Sequence, residues 1–129
     1  MKLEFESGAV IEVQETYDLE MIKVHLGGDS SFVIMASGDD DYIQAAADKG
    51  GFFVEKRVSN PVRHFAAYLI DKQPSPSPKP KWYQFSARMA RSDAELFTCD
   101  QVVALFRAYL EDAEPGFPVG WHDKSADLV

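Results

Sequence analysis

The chain has 129 residues, of which 46% are hydrophobic, 12% aromatic and 26% charged, values typical of a folded domain and not of a disordered chain. Its 21 acidic residues against 13 Lys and Arg give a net charge of −8, which argues against a general nucleic-acid-binding function, because phosphate contacts require an excess of basic residues. Cys99 is the only cysteine, which excludes an internal disulfide and a cysteine-rich zinc site.

The length corresponds to one domain, and the sequence contains neither an internal repeat nor a second domain boundary. We therefore predict a single domain over residues 1–129. No apolar run approaches the roughly 20 residues that a membrane-spanning helix needs. The N-terminal residues are acidic and lack the apolar region of a signal peptide, so we predict a cytoplasmic protein.

Charged residues are distributed unevenly along the chain. Acidic residues predominate in 1–50 and in 92–129, whereas basic residues predominate in 51–91. One interpretation is that these segments interleave in the fold and neutralise one another. The other is that the acidic segments form a face for a basic partner.

The first half of the chain predicts short strands separated by turns rich in Gly, Ser, Asn and Asp. Such short links make neighbouring strands antiparallel, so we expect about five to six strands in one meandering sheet. The candidate strands are residues 2–6, 9–14, 32–36, 42–47, 52–58, 63–70 and 82–85. In the strand at 52–58, Phe52, Val54 and Val58 share one face.

Residues 74–81 form one segment of low complexity, in which Pro alternates with Ser and Lys. Alternating prolines favour polyproline II and cannot donate hydrogen bonds to a sheet. We interpret this segment as a stiff surface connection between two strands, with a ligand for a proline-binding groove as the alternative.

Two segments have features of helices. Residues 17–26 fit a helical stripe and an alternating strand equally well, but early acidic residues, the late His25 and the following Gly27-Gly28 favour a helix. Thr98 and Gln101 form the capping box of a second helix, which runs to about Asp112 and has one apolar face. Together these elements predict an α+β domain with a single antiparallel sheet and one or two helices packed on one face.

Asp39, Asp40 and Asp41 are consecutive carboxylates in a predicted turn. They could bind a hard cation such as calcium, but the spacing and the distal glutamate of an EF-hand are absent. We interpret them as a solvated hairpin turn with a strong negative potential suited to a protein contact.

Cys99 lies at the predicted start of the second helix, where the helix dipole lowers the pKa of a thiol. His25, His64 and His122 are conceivable bases for it, yet no motif indicates which would serve, and we interpret Cys99 as structural. The histidines lack metal-ligand spacing, and the chain has no P-loop or GxGxxG motif. We therefore predict no enzymatic activity, no metal and no cofactor.

The segment 111–123 combines acidic residues, prolines, glycines and aromatic residues. One interpretation is that Phe117 and Trp121 fold back over the helix and the sheet edge. The other is that aromatic residues framed by acidic ones form a surface for a basic partner.

The order of these elements resembles that of the Imm1-type immunity proteins of bacterial polymorphic toxin systems. The resemblance covers residues 16–122. It rests on an early helix ending at Leu26, the strand Phe32-Val-Ile-Met, the segments Gly38-Asp-Asp-Asp-Tyr-Ile-Gln-Ala, Gly51-Phe-Phe-Val-Glu-Lys-Arg and His64-Phe-Ala-Ala, a capped helix within 96–110, and Trp121. The proline-rich stretch 74–80 and the acidic run 39–41 depart from the family pattern.

The resemblance implies an α+β protein that works in the cytoplasm and inactivates a toxin by binding it. Such toxins are often nucleases or nucleic-acid deaminases and are usually basic, so charge complementarity would speed their encounter with this chain. We expect a complex with the C-terminal toxin domain of an effector in which the toxin's active site is blocked. We expect no direct contact with nucleic acid or membrane, and a monomer or weak homodimer. The candidate toxin contacts are Asp39, Asp40, Asp41, Glu111, Asp112, Glu114 and Trp121.

Two alternatives belong to other functional classes. A small acidic secretion chaperone has similar size and charge but is usually dimeric and generally opens with a helix, whereas this chain opens with a predicted strand. A cysteine-dependent enzyme would require Cys99.

Overall fold

The computed structural model describes residues 1–38, 40–48, 50–59, 61–70 and 93–124. The predicted strand at 82–85, the proline-rich connection at 74–81 and Asp39 lie outside the described residues.

Within the described ranges, seven antiparallel strands form one sheet in the order β2-β1-β3-β4-β5-β6-β7. The prediction of an α+β fold with a single antiparallel sheet is confirmed, with slightly more strands than the five to six expected. The strands are β1 Lys2–Phe5, β2 Val10–Glu12, β3 Phe32–Ala36, β4 Tyr42–Asp48, β5 Gly51–Val58, β6 Arg63–Leu69 and β7 Val119–Asp123.

The ambiguous segment at 17–26 is helical. A 3₁₀ helix, Thr16–Glu20, continues directly into the short helix α1, Met21–His25. Gly27 then adopts a φ of 83°, a left-handed conformation that side chains disfavour and that reverses the chain towards β3. The charge order and the glycine pair therefore predicted the correct structure where hydrophobic periodicity alone did not.

The second helix, α2, spans Cys99–Glu111 and begins at the predicted capping box. The Gln101 backbone N–H donates to the Thr98 hydroxyl at 3.2 Å, and the Thr98 N–H donates to the Gln101 side chain at 2.8 Å. The helix ends at Glu111 and is capped by Asp112, whose φ of 52° and ψ of 52° are left-handed. None of the helices in the described part of the chain has the length and apolar composition needed to cross a bilayer.

The core lies between the helices and one face of the sheet. Because side chains alternate along a strand, the pairing of β3 with β4 places Val33, Met35, Ile43 and Ala45 on the same face, and all four are fully buried. The helical segments cover this face with Leu19, Ile22, Leu26, Val102, Val103, Leu105 and Phe106.

Strand β7 was not predicted. It extends the sheet beside β6 and places Trp121 opposite the buried Ala67, and both Phe117 and Trp121 pack against the core. The fold-back interpretation of these two aromatic residues is therefore confirmed, with Trp121 inside the added strand. Gly120 allows this pairing, because a Cβ at that position would lie 2.3 Å from Cζ of the Tyr68 ring.

Candidate functional site

A cavity of about 580 Å³ lies between the C-terminal end of α2 and the adjoining part of the sheet. Tyr109 and Asp112 come from α2 and its cap, Lys56 from β5, Trp121 from β7, and Asp41 from the turn after β3. Ligand-binding cavities typically have volumes of roughly 300–1,000 Å³, so the space is sufficient for a side chain or a small molecule.

Strand register directs Lys56 and Trp121 into this cavity. Lys56 pairs with the buried Ile43 of β4, and Trp121 pairs with the buried Ala67 of β6, so both side chains project from the helix-bearing face of the sheet. Val54, two residues before Lys56 on the same face, is buried in the core. Along this face of β5, the hydrophobic core therefore ends at Val54 and the cavity begins at Lys56.

The ammonium group of Lys56 rests on aromatic rings. Its Nζ atom lies 4.0 Å from the centroid of the Trp121 ring and 5.6 Å from that of Phe65, distances that define cation–π contacts. Burial lowers the pKa of the Lys56 ammonium, and the charge of Asp112 opposes this shift. No ion pair with Lys56 occurs among the described residues. The chain thus holds a partly desolvated cation on an aromatic face.

Hydrogen bonds attach the acidic turn to its neighbours. The Ser59 hydroxyl donates to the Asp41 carboxylate at 2.7 Å, which holds this half-buried carboxylate at the cavity wall. Asp40 is exposed, and its carbonyl accepts a hydrogen bond from the Arg57 guanidinium, which also lies 3.7 Å from its carboxylate. Two adjacent acidic residues of the turn therefore have different surroundings.

The structure brings Asp41, Asp112, Glu114 and Trp121 together on the cavity, although they come from separate segments of the chain. The other predicted contact residues with described positions, Asp40 and Glu111, are exposed and do not line it. Asp39 lies outside the described residues.

The differently charged segments also interleave. Arg57 and Arg63 from the basic segment pair with Asp40 and Asp123 from the two acidic ones, at 3.7 and 3.1 Å. The interpretation that the segments interleave is supported by these pairs, while Asp41, Asp112 and Glu114 lie together at the cavity.

Comparisons with models of protein families, with curated proteins and with solved structures find no match for this chain. Function is therefore inferred from the residues of the chain itself.

Lys56 and Tyr109 are cavity residues that sequence reasoning missed as functional candidates. A signal for Lys56 was present, because it falls on the same strand face as Phe52, Val54 and Val58. A lysine on the apolar face of a predicted strand indicates a place where the core opens to solvent. Tyr109 carried no such signal, because it falls on the apolar face of the predicted helix together with the residues that form the core.

Cys99 is half-buried at the start of α2. Burial raises the pKa of its thiol, and the neighbouring charge of Asp100 acts in the same direction, so the net shift is opposite to the one expected from the helix dipole alone. In the described part of the chain, no hydrogen bond joins Cys99 to a histidine, and the His25 ring is 3.1 Å from the Asp29 carboxylate. The same residues contain no cluster of three or more His, Cys, Asp or Glu suited to a metal ion.

Proposed function

We propose that this protein is an immunity protein that binds and neutralises a cognate bacterial toxin in the cytoplasm, and that the toxin is basic and acts on nucleic acid. The observation that carries the proposal is the cavity, which is lined by the acidic residues Asp41, Asp112 and Glu114 together with Trp121. An aromatic anchor beside charged groups is a typical centre of a protein interface.

Electrostatics explain how such a protein would inhibit. A net charge of −8 raises the encounter rate with a basic partner, and the effect weakens as salt increases. Carboxylates held against a phosphate-binding cleft would occupy the position of the nucleic-acid phosphates. The proposed mechanism is therefore one-to-one steric and electrostatic blocking of the toxin's active site.

The hydrogen bonds around the cavity favour binding without large rearrangement. The Ser37 and Tyr109 hydroxyls lie 2.6 Å apart, and Ser59 holds Asp41. Groups that are already positioned lose less conformational entropy when a partner binds. The raised pKa of the Cys99 thiol gives no support to the cysteine-enzyme alternative.

The test is neutralisation in cells. The C-terminal domain of the protein encoded next to this chain is expressed alone, with the wild-type chain, or with one of two charge variants, and surviving cells are counted. The cavity variant is Asp112→Asn with Glu114→Gln. The control removes the same charge at Glu4→Gln with Glu12→Gln, exposed residues of the β1–β2 hairpin that do not line the cavity.

We expect the wild-type chain and the control variant to rescue at stoichiometric levels and the cavity variant to rescue poorly. Full rescue by the cavity variant would place the contact elsewhere. Failure of the wild-type chain to rescue from a lethal neighbour would refute immunity to that toxin. A dimer that binds an extended effector segment without neutralising it would instead identify the chaperone alternative.

A further inference from the structure

We propose that the cavity receives an arginine side chain of the partner. That the partner is a toxin rests on the proposed function. That the bound side chain is an arginine is argued from the residues of the cavity.

The charges that line the cavity select a cation. Asp41, Asp112 and Glu114 contribute three carboxylates, against two cationic groups among the lining residues, the Lys56 side chain and the N-terminal ammonium of Met1. The final turn of α2 also faces this space through Tyr109 and Asp112, and a helix presents the negative end of its dipole at its C-terminus. The three carboxylates and the helix end would repel an anionic group, and they outnumber the cationic groups that would attract it.

The carboxylates at the cavity mouth are available to a partner. Asp112 and Glu114 are exposed, and within the described ranges neither forms an ion pair with a basic side chain, Lys56 included. Asp41 differs, because Ser59 already donates to it. We therefore assign the direct contact with the guanidinium to Asp112 and Glu114, with Asp41 contributing to the potential.

The aromatic wall provides a second and independent observation. Trp121 already carries a cation on its ring, since the Lys56 Nζ atom lies 4.0 Å from its centroid and has no ion-pair partner in the described structure. The Trp121 ring is therefore a surface on which the chain already places a cation of its own. Arginine fits better than lysine, because its planar guanidinium stacks on aromatic rings, donates two parallel hydrogen bonds to a carboxylate and is more weakly hydrated.

The charge of Lys56 allows a test in which the direction of the change in affinity is predicted. Its ammonium has the same charge as the incoming guanidinium and occupies the Trp121 face, so it opposes entry. Replacing it with Met keeps an unbranched apolar stem and removes the charge. Lys56→Met should therefore tighten the binding of a cation and weaken the binding of an anion.

The experiment uses N-acetyl-arginine amide as the probe and N-acetyl-citrulline amide as its uncharged counterpart. Each is titrated into the ¹⁵N-labelled chain while the indole N–H signal of Trp121, assigned with Trp121→Phe, is followed by NMR. The wild-type chain is compared with Lys56→Met, with Asp112→Asn/Glu114→Gln, and with the control Glu4→Gln/Glu12→Gln. Thermal unfolding first verifies that each variant is folded.

We expect a saturable shift with the arginine probe and none with the citrulline probe. The dissociation constant should rise roughly two- to fivefold in the Asp112/Glu114 variant, as for exposed ion pairs, fall by a similar factor in Lys56→Met and stay unchanged in the control. Equal responses to both probes, no saturable shift, or weaker binding in Lys56→Met would overturn the inference.

The two proposals fail separately. If the chain neutralises the toxin but the arginine probe does not bind, the arginine inference is wrong and the immunity function stands. If the probe binds as expected and no neighbouring toxin is neutralised, the cavity chemistry stands and the proposed function does not.

Discussion

The hydroxyl oxygens of Ser37 and Tyr109 lie 2.6 Å apart and form a hydrogen bond between residues 72 positions apart in the chain. This bond joins the turn after β3 to the last turns of α2, two elements that both line the cavity. The hydrogen bond therefore links two walls of the cavity outside the core.

Tyr109→Phe removes this hydrogen bond and keeps the ring. We expect the free energy of unfolding, measured by urea denaturation, to fall by about 0.5–1.5 kcal/mol, the net value of a typical hydrogen bond. Ser37→Ala removes the same bond together with a longer one, from its hydroxyl to the Asp41 carbonyl at 3.4 Å, so its effect should be equal or slightly larger, and the double variant should be little worse than Ser37→Ala. Additive losses would show that the two hydroxyls act independently.

Two residues of α1 should differ sharply in their contribution to stability. Ile22 is fully buried under α2, whereas Val24 is 63% exposed on the same helix. Ile22→Ala should destabilise the fold by about 2–5 kcal/mol, because it removes buried methyl groups and leaves a cavity. Val24→Ala should change stability by less than about 0.5 kcal/mol. Thermal or urea unfolding of the pair checks this, and similar values for both would contradict the packing of α1.

The stability of the chain should depend on the ionisation of Lys56. Burial lowers the pKa of Lys56 in the folded state, so the unfolded chain binds more protons in the interval below the ordinary lysine value of about 10.4. The free energy of unfolding of the wild type, relative to Lys56→Met, should therefore rise as pH increases through that interval. Denaturation of both proteins between neutral pH and pH 10.5 measures the difference, and a constant or falling difference would contradict the desolvation of this ammonium.

Gly120 should not tolerate a side chain. An added Cβ would lie 2.3–2.5 Å from the Tyr68 ring, and moving that ring would also disturb its stacking on His122, where the centroids are 3.9 Å apart. Gly120→Ala should cost about 1–3 kcal/mol, as expected for overpacking. Gly38→Ala is the matched control, because no atom lies within 4 Å of its added Cβ. Combining Gly120→Ala with Tyr68→Ala should recover part of the loss, and no recovery would indicate another cause.

The elements that could be predicted from the sequence are those with local signals. The strands β3 to β6 follow one another through short turns, and the Thr98–Gln101 capping box identifies the start of α2 within the chain itself. Strand β7 has no such signal, because it pairs with β6 across a long interval of sequence and contains a glycine at the point of closest packing.

The candidate site could be predicted only in part for the same reason. Asp112, Glu114 and Trp121 are close in sequence and were selected together, but their meeting with Asp41 and Lys56 depends on strand register and on where α2 ends. The pKa of Cys99 illustrates a further limit on local reasoning. A helix N-terminus is visible in a sequence, whereas the burial that raises the thiol pKa exists only in the folded chain.

At Asp112, the left-handed backbone and the proposed binding of a cationic partner favour different residues. Glycine adopts this conformation without steric conflict and is the usual residue after the end of a helix, so a glycine there would relieve the backbone while removing a carboxylate from the cavity. Selection for thermal stability alone would favour losing that charge, whereas selection for a cationic partner would keep it. Asparagine tolerates the same backbone and separates the two effects, because it leaves the helix end intact and removes only the charge.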